Sequence, residues 1–206
     1  MTTSKDAPVT GALSPELLSS PDATGFIAER FLINAPEDVV AVTHNGTNMI
    51  NPTPSGIALF SEPVISNGLV LVAKLRNDKR EIVGFAIESE TIDGSTNQLV
   101  GKMRMNTEWT IVLPGRGSIF MAEIEDSGSV GKEILPTVMQ GKEWKGSVDF
   151  TTTVGPDPSG RGVIVGGTRE FEGITGTFVE GTHLSQMSQA RGAIGTFDLQ
   201  LIYKKR

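Results

Sequence analysis

The chain has 206 residues, no cysteine, two histidines and a formal net charge of −6. Without cysteine there is no disulfide framework, thiolate metal site or thiol nucleophile, and two histidines do not make a multi-histidine metal centre. The acidic balance and scattered basic residues leave no footprint for a phosphate backbone, so nucleic acid is not an expected partner.

Residues 1–22 are rich in Ser, Thr, Pro and Ala and read as a flexible arm. They lack the basic and apolar regions of a secretory signal, and the longest apolar runs of the chain fall well short of the ~20 residues that a membrane span needs. A cytoplasmic protein without membrane contact is the expectation. Residues 23–34, ATGFIAERFLIN, place Phe26, Ile27, Arg30 and Phe31 at helical spacing, which reads either as a short helix lying on the domain as a lid or as an irregular segment. Residues 1–36 therefore read as an arm with or without a lid helix, and 37–206 as a single β domain.

After Pro36 the period changes to two and β-branched residues dominate. The predicted strands are Val39–His44, Ile57–Ser61, Leu69–Leu75, Ile82–Ile92, Leu99–Leu113, Ser118–Glu125, Ser147–Val154, Gly162–Val165, Gly173–His183 and Ile194–Tyr203. Asn77-Asp78 marks one hairpin tip, and Pro114, Gly115 and Gly117 mark another. Asp126–Gly146 has no clean period, and its one helical turn is broken at Pro136. Successive antiparallel strands must hide their edges, and closure does so completely. The fold class is therefore all-β: a closed or nearly closed antiparallel barrel of about eight strands, wide enough for one small ligand, with an N-terminal extension and one long insertion.

The stretch VIVGGTREFEGITGTFVEG, 163–181, carries Gly166, Gly167, Gly173, Gly176 and Gly181. In strands, glycines mark bends or close backbone approach. Here they would turn the chain sharply and let Phe171 plug one barrel end. The phosphate-loop spacings are missing, so a nucleotide cradle is rejected.

GGTREFEGITG, 166–176, resembles the glycine-rich turn of the allene oxide cyclases and dirigent proteins. LRNDKREIVGFAIESE (75–90), TEWTIVLPGRGSIFMAEI (107–124) and GTFDLQLIY (195–203) resemble their hairpin, aromatic strand pair and closing strand, in the same order. The resemblance spans about residues 69–203, minus an insertion at 126–161. It implies a barrel that steers a reactive, largely hydrophobic small molecule through cyclisation or isomerisation without a cofactor, in secondary metabolism, as a homodimer or homotrimer. A non-catalytic dirigent-like or lipocalin-like binder is the alternative.

Counted from Gly84, Glu90 falls where the plant cyclases carry a lumen cysteine. Glu88 shares its face, so either both face the lumen as raised-pKa acid–base groups, or the strand is inverted and both are solvated. Val42 stands where the cyclases have their key glutamate, which puts the plant reaction in doubt, and His44 lies near the following asparagine as a candidate proton donor. Met103, Met105, Trp109 and Ile111 share one face, either core or a soft wall for an apolar ligand. Phe85 and His183 complete the candidate substrate contacts, with His183 expected near a barrel rim. No metal site is expected.

Overall fold

The computed structural model describes residues 25–205, apart from 47, 49, 95 and 97–101. The predicted arm lies outside the described residues, as do Leu99–Gly101 of one predicted strand. Eleven strands follow in chain order: β1 (Ile27–Ala35), β2 (Val39–His44), β3 (Gly68–Arg76), β4 (Ile82–Ile92), β5 (Arg104–Leu113), β6 (Gly117–Asp126), β7 (Trp144–Thr151), β8 (Thr153–Gly155), β9 (Gly162–Gly167), β10 (Thr175–Ser188) and β11 (Gly192–Lys204). Two short helices, α1 (Gly128–Glu133) and α2 (Leu135–Met139), sit between β6 and β7.

Eight of the strands form a closed antiparallel barrel in the order β1-β11-β10-β9-β6-β5-β4-β3, with β3 returning to β1 at Leu32↔Arg76. β2 extends the seam by pairing along β3. β7 and β8 fill the gap above the short β9: β7 pairs with the second half of β10, and β8 with the end of β6. The seam is locked by Asp38. Its fully buried carboxylate accepts the Asn34 backbone N–H at 2.9 Å and two Arg76 bonds of 2.8 Å. Burial opposes its charge, but the Arg76 guanidinium and the Asn34 N–H outweigh that and hold Asp38 below the usual carboxylate range.

Residues 27–35 are strand, neither a lid helix nor an irregular segment. Their helical spacing is overridden by a nine-residue pairing with β11, from Ile27↔Tyr203 to Ala35↔Gly195, which buries Phe31 and Ile33 in the core. Ile57–Ser61 is not a strand either. Pro54, Gly56 and Pro63 bracket it, and it lies beside β2 through isolated bonds such as Phe60 N–H to the His44 carbonyl at 2.9 Å. The predicted strand over 147–154 is two, β7 and β8.

Apolar side chains fill one half of the barrel. Leu75, Ile111, Ile119, Phe178, Leu201 and Tyr203 are essentially inaccessible to solvent and belong to one cluster. Phe171 closes this end as the sequence predicts, its ring edge-on to Tyr203 at 6.2 Å and capped by the Arg116 guanidinium at 4.9 Å. Glycine makes that turn feasible. A Cβ on Gly167 would lie 2.5 Å from the Phe171 Cβ, and Gly173 takes a φ of +71°.

The opposite end is covered by the insertion. Val130, Ile134, Leu135 and Val138 of the helical pair pack with Leu184, Met187 and Ala193, forming a second apolar cluster. Pro136 falls in the first turn of α2, where its missing N–H costs nothing. Among the described residues, no helix is long and apolar enough to cross a membrane.

Candidate functional site

Between the plugged half and the helical cover lies a cavity of about 350 Å³. Its outer wall is largely apolar, with Met103, Met105, Leu135, Met139, Phe150 and Phe197 on it. Its inner wall is acidic. Glu88 and Glu90 come from β4, Glu125 from β6 and Glu180 from β10. Glu123 sits one inward position below Glu125, behind the wall.

The registers bring these residues to one level. Glu90 lies opposite Thr107, which in turn lies opposite Glu123, while Glu125 is paired with Met105. All five are inward positions on strands whose other buried inward residues are apolar apart from Thr182 on β10: Ala86 on β4, Ile119 and Met121 on β6, Phe178 and Leu184 on β10. Five carboxyls converge on one chamber, and among the described residues none has a lysine or arginine within ion-pair distance. Arg104, at the rim, is directed instead at Asp126, 4.0 Å away.

Burial therefore decides their protonation. It pushes the Glu90 carboxyl up to about 7, although a hydrogen bond with Glu88 pulls the other way. Burial likewise pushes Glu123 up to about 7, against hydrogen bonds from Thr153 (2.5 Å) and the Trp109 indole N–H (2.9 Å). Glu88, Glu125 and Glu180 are pushed well above the usual range, by burial first and then by one another's charge and that of the remaining glutamates. Glu125 Oε1, Glu180 Oε2 and Thr182 Oγ1 are buried without a hydrogen-bond partner. One oxygen each from Glu88, Glu125 and Glu180 lie within 4.8 Å of one another. That triad is also a donor set that a hard divalent cation would accept.

Of the residues singled out from the sequence, Glu88 and Glu90 face the cavity, which settles the strand register in favour of the lumen. Met103 and Met105 line it. Trp109 and Ile111 do not: they are buried in the plugged half, and Trp109 contributes only its N–H to Glu123. Phe85 is on the outer face of β4, 38% exposed, because inward positions on that strand are the even-numbered ones. His183 is also outward, its Nδ1 2.8 Å from Asp149 on the neighbouring β7.

His44 borders the cavity, but its ring is committed to the following loop. Nδ1 accepts the Gly46 N–H at 2.8 Å, and Nε2 meets Thr53 Oγ1 at 3.1 Å. With Nδ1 accepting, the proton lies on Nε2, and burial lowers the pKa so that the ring stays neutral. His44 acts as a clasp for the loop rather than as a free proton donor.

Sequence reasoning missed Glu123, Glu125 and Glu180. Their signal was present. Ile119-Met121-Glu123-Glu125 is a single face that runs from apolar to acidic, and Phe178-Glu180-Thr182-Leu184 is one that sets an acid and a hydroxyl between two apolar residues.

No protein-family description matches the chain, and no curated protein does. Among solved structures it is similar to a pterocarpan synthase dirigent protein, at 16% identity and a TM-score of 0.40, over 88% of this chain and 86% of that one. At that degree of overlap the likeness speaks for neither substrate nor reaction.

Proposed function

We propose that the protein binds a largely apolar small molecule in the open half of the barrel and assists its rearrangement by acid–base catalysis, without a cofactor. The observation that carries this reading is the pairing of an apolar-walled cavity with a carboxyl, Glu90, that borders it and that burial pushes up to about 7. A carboxyl raised into that range can both give and take a proton near neutral pH. Glu88 beside it acts as a proton-sharing neighbour, and the walls would hold one folded conformer of the guest away from water. A cyclisation or isomerisation in which one proton is delivered and one removed suits this equipment.

The test uses a probe sensitive to any desolvated carboxylate base. Ring opening of 5-nitrobenzisoxazole should run above the buffer rate, rise with pH around a midpoint near 7, and drop at least about tenfold in Glu90→Gln. A probe that binds but opens no faster than in buffer would leave a non-catalytic small-molecule binder. A probe that does not enter at all would overturn the cavity reading itself.

A further inference from the structure

We infer that the guest carries a primary ammonium group on an apolar body, and that Glu88, Glu125 and Glu180 receive its three N–H donors. This rests on the reading of the open half as a small-molecule site and names the class of molecule it takes.

The acids are the first part of the argument. Five carboxyls on three strands cost stability, since each buried polar group without a partner works against folding. The same inward face is apolar in the plugged half, so the barrel does not need acids to close. Thr153 and Trp109 satisfy Glu123, but Glu125 Oε1 and Glu180 Oε2 have no partner. Neither does the Thr182 hydroxyl, which is 5% exposed and lines the same cavity. These atoms await a ligand rich in hydrogen-bond donors, and a cationic one offsets its own burial by displacing the protons that burial keeps on the acids.

Geometry narrows the class. An ammonium nitrogen with three N–H···O bonds of ~2.8 Å at tetrahedral angles sets its acceptors about 4.6 Å apart. The three glutamate oxygens lie no more than 4.8 Å from one another, a span that admits this arrangement. A bare metal ion could meet the same oxygens, but it would leave the rest of the cavity unfilled beside Met103, Met105, Phe150 and Phe197. An organic cation fills both parts: its charged head reaches the acids, and its apolar body lies against the methionines and phenylalanines.

The experiment compares 2-(1-naphthyl)ethylamine with 2-(1-naphthyl)ethanol, which differ in the charged head, by calorimetric titration of the wild-type protein. The amine should bind roughly tenfold or more tightly than the alcohol. Glu125→Gln and Glu180→Gln should reduce amine affinity to that of the alcohol while leaving alcohol affinity in place, with near-ultraviolet circular dichroism checking the fold. Equal affinities in the wild type, or amine binding unchanged in both variants, would overturn the inference while the cavity reading stands. Stoichiometric calcium binding without amine selectivity would also overturn it and assign the triad to a metal. If neither naphthyl compound binds, the inference and the reading on which it rests fall together.

Discussion

The two halves of the barrel are built from the same strands and end in opposite chemistries. Along β6, the inward positions run Ile119, Met121, Glu123, Glu125; along β10 they run Phe178, Glu180, Thr182, Leu184. Below the Trp109 level everything is apolar, the glycine turn folds Phe171 into the end, and Arg116 covers it through Glu170 and Glu29. From that level upward the same faces hold five carboxyls around a cavity of about 350 Å³. One half supplies the stability that the other half spends. Packing alone explains the first, whereas the second places polar groups where packing does not require them.

The contrast can be broken most directly at the plug. Phe171→Ala removes a fully buried ring and should cost about 4 kcal/mol in urea unfolding. It should leave naphthyl-probe affinity nearly unchanged, because Phe171 sits at the far end from the cavity. A loss of binding in a folded Phe171→Ala protein would mean that the two halves are not independent.

A smaller effect is expected from pH. Burial pushes Glu90 and Glu123 up to about 7 and holds Glu88, Glu125 and Glu180 well above the usual carboxylate range. In the unfolded chain carboxyls release protons near 4.3, so the unfolded state binds fewer protons at neutral pH. Stability is therefore full below that value and falls as pH rises from there through 7. His44, kept neutral by burial, works the other way only below its ordinary 6.5. Between pH 5 and 7 the ligand-free protein should thus lose roughly 5 °C in Tm. A flat or rising Tm across that interval would mean that the chamber does not bury its acids as described.

The smallest effect belongs to the outer surface. His183 and Asp149 are both exposed, and exposed ion pairs contribute little. His183→Ala should change stability by less than about 0.5 kcal/mol and leave probe binding intact. A tenfold loss of binding would restore His183 to the site.

The element pattern was largely legible in the sequence. Period two, β-branched runs and glycine turns located Val39–His44 and Ile82–Ile92 to the residue and identified Phe171 as a plug. They failed where partners overrule local pattern. Residues 27–35 look helical in isolation and become strand because β11 offers a full-length edge. Residues 57–61 look like a strand and have no such edge. The site was legible in part. Glu88 and Glu90 stood out because they alternate on one short strand, but their orientation rested on a register that one residue of slip would invert. Phe85 lost its place by the same parity, since the register that turned Glu88 inward turned Phe85 outward.

The order of types along this chain was enough to determine a β-rich barrel, its hairpin tips and the glycine turn, because these depend on neighbours two or three positions apart. Only the closed structure decided which face is inside and at what height each side chain stands. Convergence of acids from β4, β6 and β10 depends on the cross-strand registers and the curvature of the whole sheet, and no local spacing carries that information.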